Sequence, residues 1–318
     1  MSADFKDILL IPHIQIQNAN ALSSPFTIGF PAMTAWLGVT HALQRKLQAK
    51  GLDITFSGTG VISHDFELQT HRGDNDFVAS IVGMANPLDK TGARAAFIEE
   101  ARCHLEVSLV VEYQCADDQK AELIDAVTHL LHGKMKIAGG DIHHFNSPEV
   151  FVVEHEDPTE VRKFMRKAMP GYALIERRDL MLAGMNENLD AMSALLDYLA
   201  VHHQSEVDEE GDVTWSAKRK TFEDKPIGWV VPIATGFHGI SELGQAKNQR
   251  DANTPHRFAE SLVTLGEFKL AHHFKRLDDI LWRYHFDSEN NFYLCQQKQY
   301  QQLATPISYE QSPIDEFS

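Results

Sequence analysis

The stretch Ile8-Leu9-Leu10-Ile11-Pro12-His13-Ile14-Gln15-Ile16-Gln17 starts as an unbroken apolar run and ends in apolar–polar alternation. That pattern reads as a β-strand buried on both faces at its start and on one face later. Pro12 has no backbone N–H, which predicts an edge position or a bulge. Downstream, Asn18 to Pro25 is a loop of small polar residues, and Pro31 opens a helix. Trp36, Leu37, Val39, Thr40, Leu43 and Leu47 form its apolar stripe, and Gly51 stops it. A second strand pattern runs from Leu52 to Phe66, with a turn or bulge at Ser57-Gly58-Thr59-Gly60. A third strand is expected over Phe77 to Met84, then a charged helical piece around Ala95 to Arg102. His104 to Tyr113 alternates as a half-buried strand. Asp117 or Asp118 caps a helix to Leu131, and Lys134 to Ala138 is a short strand leading into Gly139-Gly140.

Strand, helix, strand, further strands, helix, strand is the order of the split βαβ plan. The sequence therefore predicts an α+β protein with a ferredoxin-like core over residues 1–140, of the kind RNA-recognition domains use to read bases from a sheet face. Residues 141–225 read as a variable helical insertion. It holds a basic helix over Pro158 to Ala168, a helix over Met185 to His203, and an acidic, mobile linker over Glu206 to Trp215. Residues 226–318 complete the fold, with a strand at Trp229 to Ala234 and helices over Pro255 to Glu267 and Phe274 to Tyr284.

The chain has 318 residues, 43% of them hydrophobic, enough for a sizeable core. No run of about 18 uncharged apolar residues is present, so no transmembrane helix is expected. The first residues lack the pattern of a signal peptide, which predicts a cytoplasmic protein with no membrane partner. The net charge of −16 argues against a free-standing nucleic-acid binder. Its distribution is uneven, however. Ile8 to Leu52 contains no Asp or Glu but does contain Arg45, Lys46 and Lys50. Further basic stretches are Arg162 to Lys167 with Arg177 and Arg178, and Lys247 to Arg257. Such a chain is compatible with one anion-binding face, and equally with ordinary solvated faces.

Signals for chemistry are sparse. Cys103, Cys115 and Cys295 lie far apart, without zinc or disulfide spacing. The histidine pairs His143-His144, His202-His203 and His272-His273 are sequence neighbours, which do not share a helix face. There is no phosphate loop, nucleophile elbow or H-E-x-x-H motif. Asp278-Asp279 offers one half of a carboxylate site, but two acids at the start of a helix read more simply as dipole partners. No metal or cofactor is expected. Two segments suit binding. Asn18, Asn20, Ser23 and Ser24 offer amides and hydroxyls to a ligand, or else cap their own loop as Asx turns. Gly139 and Gly140 permit close approach of another backbone, or form a plain tight turn.

A longer set of residues carries a family resemblance. Leu9 to Thr27, Gly29-Phe30-Pro31, His41-Ala42-Leu43-Gln44-Arg45, Glu99 to Leu109, Lys136 to Gly140, Gly228 to Ile233 and Thr254 to Glu260 occur in order along nearly the whole chain. Together they resemble the guide-RNA 5′-handle subunit of type I-F CRISPR (Csy) surveillance complexes. The resemblance implies a ferredoxin-like, RNA-recognition-type core with an inserted thumb or hairpin and extra helices. It implies a non-catalytic subunit that grips the 5′ handle, pairs with the large subunit and abuts the first backbone subunit, with target DNA at most an indirect contact. Candidate RNA-contacting residues are Asn18, Asn20, Ser23 and Ser24, with Arg45, Gly139 and Gly140. Asn248, Arg250 and Arg257 join them from the last basic stretch. Arg257 is expected in the first turn of a helix, where pairing of the arginines with Asp251 or Glu260 is the alternative. Two rival readings remain: a precursor-cleaving ribonuclease with His13, His41, His143 or His144 as base, and a scaffold touching protein only. Gln204 to Lys225 matches no motif.

Overall fold

The computed structural model describes residues 5–297, apart from 83, 86, 87, 89, 95, 96, 99, 208–210, 248, 250 and 252. The N-terminal part follows the expected order: β1 (Phe5–Asn20), α1 (Met33–Gln48), β2 (Ile54–Leu68), β3 (Arg102–Cys115), α2 (Lys120–Gly133) and β4 (Gly140–His144). In space the strands lie β4–β1–β3–β2, each antiparallel to its neighbour. Both helices pack on one face. Met33, Trp36, Leu37, Leu43 and Leu47 of α1, with Leu123, Val127, Leu130 and Leu131 of α2, meet Leu9, Ile11, Ile14 and Ile16 of β1. Leu105, Val107, Leu109 and Val111 of β3 join the same core.

The opposite face is covered only in part. Ile8 and Leu10 of β1, Val110 of β3 and Ile62 of β2 pack against α3 (Pro158–Met165) and the segment from Ala271 to Leu281. This is why the sequence of β1 begins continuously apolar and ends in alternation: its first part is covered twice, its second part once. Pro12 does not mark an edge, because β1 has partners on both sides. It sits in a bulge. Ile11 pairs with Leu109 and Ile14 with Val107, so β1 carries one extra residue there, and His13 has φ 52°. At the same point the outer partner of β1 changes from β5 (Glu149–Glu154) to β4. The Ser57–Gly60 interruption is likewise a bulge within β2.

The remaining elements are β6 (Tyr172–Glu176), α4 (Arg178–Asn186), α5 (Ala191–Leu199), β7 (His202–Val207), β8 (Val213–Lys218), β9 (Trp229–Gly239), β10 (Ala259–Leu270), β11 (Trp282–Asp287) and β12 (Phe292–Gln297). The sheet continues from β2 through β6, β10, β9 and β12 to β11, which returns to β2 at Trp282–Thr59. With the short strand Lys136–Ile137 beside β4, the sheet has 11 strands among the described residues, and β2, β6, β10, β9, β12 and β11 close a ring. Residues 1–140, 141–225 and 226–318 all contribute strands to it.

Several expected elements differ. Met185 to His203 is not one helix but α4 and α5, broken at the turn where Asp190 caps α5 through the Ser193 N–H. The two ends of the acidic linker lie in the antiparallel pair β7–β8, whose Trp215 is exposed, and its residues 208–210 lie outside the described residues. The helix expected at Pro255 to Glu267 is strand β10. It runs between β6 and β9, where both neighbours supply hydrogen bonds and Gly266 lets Ile233 and Leu174 close in. The helix expected at Phe274 to Tyr284 is a single 3-10 turn at Leu277–Asp279 followed by β11. In 77–102, Ser80–Ile81, Met84–Ala85 and Phe97–Ile98 are two-residue strands, and the helical piece is absent among the described residues.

Asp278 is an ion-pair hub rather than a dipole partner. Lys6 Nζ lies 2.8 Å from its Oδ1 and 3.0 Å from Glu112 Oε1, while Arg283 reaches the same two carboxylates at 2.8 and 2.6 Å. These groups are largely buried and tie β1, β3 and β11 together across the partly covered face. Burial pushes the Asp278 carboxyl up, but Lys6 and Arg283 outweigh it and hold the group at about 2. A carboxyl held at about 2, against 3.8 ordinarily, adds stability above the ordinary value and loses it as pH falls through the folded one. The unfolding midpoint of the wild type should therefore drop between those two pH values, and Asp278→Asn should flatten that step. Arg283→Met, which leaves buried carboxylates undercompensated, should cost about 3 kcal/mol in denaturant unfolding at neutral pH.

Candidate functional site

Beyond Ser108 the cover provided by α3 and 271–281 ends, and the second face of the β4–β1–β3–β2 sheet is open and polar. The register places its side chains in rows. Gln15 of β1 pairs with Glu106 of β3, which pairs with Asp65 of β2, and in the next row Glu67 pairs with His104. Gln15, Gln17, Asp65, His104, Glu106 and His143 line a cleft of about 450 Å³. Next to Glu106, which His13 contacts, the rings of His13 and His64 stack with centroids 4.2 Å apart.

The two histidines are fixed differently. His64 Nδ1 is 2.6 Å from the Pro170 carbonyl, an acceptor only, so this nitrogen carries the proton. Its Nε2 is 2.6 Å from Ser108 Oγ, which also accepts the His13 backbone N–H. Burial lowers the His64 pKa, so the neutral ring is favoured. Ser108 is fully buried and is not an accessible nucleophile. His13 Nδ1 lies 2.6 Å from Glu106 Oε1, and that hydrogen bond holds the Glu106 carboxyl below the usual range despite partial burial.

Where β1 ends, the expected glycine turn meets the expected loop. The Asn20 N–H donates to the Ala138 carbonyl at 2.8 Å. Gly140 lies so close to β1 that an added Cβ would sit 2.8 Å from Ala19 N, Gln17 O and Ile16 Cγ2. Gly139 takes φ 77°, as a glycine turn requires. A second β1 bulge puts Asn18 at φ 58°, where its side-chain oxygen accepts from Gln69 Nε2 at 2.6 Å. Asn20 forms an Asx turn with Leu22. The Ser23 and Ser24 hydroxyls lie 2.8 and 2.7 Å from Thr27 Oγ1 inside the small hairpin Leu22–Ile28. The self-capping reading thus holds for Asn20, Ser23 and Ser24. Even so, Asn20, Ser23 and Ala138 line a cleft of about 270 Å³ with Ala32, Thr34 and Ala35 at the start of α1. No side chain caps that helix end and no acid occupies its first turn.

Other expected site residues lie elsewhere. Arg45 is exposed in the last turn of α1, roughly 18 Å along the helix from Met33 at ~1.5 Å per residue. Arg257 is not in a helix. It precedes β10, and its Nη1 donates to Asn291 Oδ1 rather than pairing with Asp251 or Glu260. It sits at the Gly239–Ala259 end of the β9–β10 pair, opposite the end marked by Trp229 and Phe268. Asn248 and Arg250 lie outside the described residues. His41 on α1 lines a different cleft from His143. Gln15, Gln17, Asp65, Gln69, His104 and Glu106 were not anticipated as site residues. The i, i+2 spacing of Gln15 with Gln17 and of His104 with Glu106 already placed each pair on one strand face. Among the described residues no group of three His, Cys, Asp or Glu is arranged to hold a metal ion, and no helix is long and apolar enough to cross a membrane.

The architecture is that of an α/β protein organised on one large antiparallel sheet, with a polar, open sheet face beside a glycine turn. Comparison with known proteins gives the family. Residues 9–295 match the family described as CRISPR-associated protein (Cas_Csy2). The CRISPR-associated protein Csy2 of Pseudomonas aeruginosa (strain UCBPP-PA14) is 35% identical over 317 residues, covering 91% of this chain and 95% of that protein. The chain belongs to the Csy2 family, and the sequence resemblance to a type I-F Csy subunit holds at that level.

Gly140 has no room for a side chain, and two of the three atoms it would strike are backbone. Gly140→Ala should therefore cost ~1–3 kcal/mol in denaturant unfolding, whereas Gly139→Ala should be limited by its positive φ alone.

Proposed function

We propose that this chain is a non-catalytic subunit of a type I-F CRISPR surveillance complex that binds the 5′ handle of the guide RNA. Its partners in this reading are the large subunit and the adjacent backbone subunit, with target DNA at most an indirect contact. The order β4–β1–β3–β2 with its two helices on one face supports a ferredoxin-like, RNA-recognition-type core. The hairpin β7–β8 and the helices α4 and α5 are then the thumb-like insertion and the extra helices.

The observation that carries the proposal, in a member of this family, is the junction at the end of β1. Asn20 and Ser23, from the carboxylate-free segment, line one cleft there with Ala138 of the glycine turn and the uncapped start of α1, and Asn18 lies two residues before Asn20 on β1. Free N–H groups at a helix start favour phosphate, and small residues admit an RNA backbone. An acidic chain binds RNA at such a place when its remaining surface meets basic partners that share the electrostatic work.

One observation favours the ribonuclease alternative: Glu106 holds His13 through Nδ1, as an oriented general base would be held. His41 and the pair His143–His144 stand on separate elements, α1 and β4, which supports a role outside catalysis.

Guide RNA with an intact 5′ handle should co-purify with the chain and the large subunit, and crosslinks should map to Asn18–Ser24 and Gly139. Crosslinks confined to other subunits would instead support the protein-only scaffold. Alanine at His13, His41, His143 and His144 should leave precursor cleavage in the assembled system unchanged. A loss on the order of a hundredfold, with folding and RNA binding intact, would install the ribonuclease in its place.

A further inference from the structure

The open cleft on the second sheet face has the wrong charge for phosphate. Glu106 and Asp65 stand directly opposite each other on β3 and β2. Two carboxylates in one cross-strand row repel each other. Glu106 is partly compensated by His13, with Gln15 Nε2 3.5 Å from its other oxygen. Asp65 has no hydrogen bond or ion pair among the described residues. The donors at hand, His13 and the distant Gln15 amide, serve Glu106 and leave Asp65 without one, and a ligand that brings two adjacent donors would relieve the repulsion.

Around the carboxylates are amides and imidazoles: Gln15, Gln17, His104 and His143. His104 is itself held, its Nδ1 3.4 Å from the Asn18 N–H and its Nε2 3.1 Å from the Gln69 amide. The cleft volume of about 450 Å³ falls in the ~300–1,000 Å³ range of small-ligand sites. It opens beside Asn18, at the same end of β1 where the backbone site was placed. Sheet faces of this plan read unpaired bases on their hydrogen-bonding edges, and carboxylates select base edges that present amino or imino hydrogens.

We propose that this cleft binds the Watson–Crick edge of one unpaired guanine in single-stranded RNA, with Glu106 and Asp65 accepting from its N1–H and its N2 amino group. Guanine is the natural RNA base that presents both donors side by side. Adenine and cytosine set a ring-nitrogen acceptor next to their amino group, which faces a carboxylate unfavourably. Uracil offers a single N–H between two carbonyls. The proposal rests on the RNA-binding reading and adds to it a division of labour: phosphates at the start of α1, one base on the sheet.

The test uses the full-length chain and fluorescence anisotropy at one fixed salt concentration. The probes are labelled oligouridylates carrying one central guanosine, inosine or adenosine. Guanosine should bind about tenfold tighter than adenosine, with inosine, which lacks the N2 amino group, in between. Asp65→Asn and Glu106→Gln should each bring guanosine and adenosine close to parity while adenosine binding holds or rises. Asp65→Asn breaks no internal hydrogen bond among the described residues, so it remains informative if Glu106→Gln, which releases His13, lowers stability. Excess guanosine monophosphate that displaces the probe as well as an oligonucleotide does would identify the free nucleotide as the ligand, and would overturn the assignment to RNA. Equal binding of all three probes to the wild type, or a guanosine preference unchanged in both variants, overturns the guanine site alone. Failure of the wild type to bind any probe, both alone and assembled with the large subunit, overturns the RNA reading with it.

Discussion

Strand β1 has to satisfy two environments along its length, and the rest of the structure is arranged around that requirement. Ile8 and Leu10 must be covered on the face away from α1 and α2, whereas Gln15 and Gln17 must not be. The bulge at Pro12–His13 lets one strand do both. Leu9 and Ile11 face the helices, and strict alternation from them would turn Ile14 and Ile16 outward. The extra residue keeps both in the helix-covered core, as the pairing of Ile11 with Leu109 and Ile14 with Val107 records. A proline costs no ladder hydrogen bond at such a point. There too the outer partner of β1 changes from β5 to β4, so the covered and the open halves of the second face divide at the bulge.

The boundary between those halves is also an electrostatic one. On the covered side, Lys6, Glu112, Asp278 and Arg283 neutralise one another within a largely buried network that joins the first strand to the last part of the chain. On the open side, Glu106 and Asp65 share a row with one imidazole between them and the stacked His64, whose ring burial keeps neutral. The first arrangement closes on itself and serves the fold. The second is short of donors and faces solvent, which makes it a place for a ligand.

The net charge of −16 fits this division. The segment from Ile8 to Leu52 supplies β1 and α1 without a carboxylate, so the start of α1 keeps its positive character where it meets Asn20 and the glycine turn. Within a complex, the acidic remainder of the surface suits contact with more basic subunits. Family membership makes such an assembly the natural setting for the chain.

Local signals in the sequence determined the first half of the fold. Continuous and alternating apolar patterns fixed β1, β2 and β3, helical periodicity fixed α1 and α2, and Gly139-Gly140 marked a true tight turn. The same signals failed over 255–284, where Pro255 and a helix-like run suggested helices. There β10 draws its hydrogen bonds from β6 and β9, which are distant in sequence, and no local pattern records such partners. The site divides the same way. Asn18, Asn20 and the glycines were legible as small polar and glycine residues beside a carboxylate-free stretch. Arg45 and Arg257 were legible only as charge, and the tertiary structure carries them to the far end of α1 and the far end of the β9–β10 pair. The pairing of Glu106 with Asp65 could be decided only by strand register, because residues far apart in the chain become neighbours through hydrogen bonding between β3 and β2.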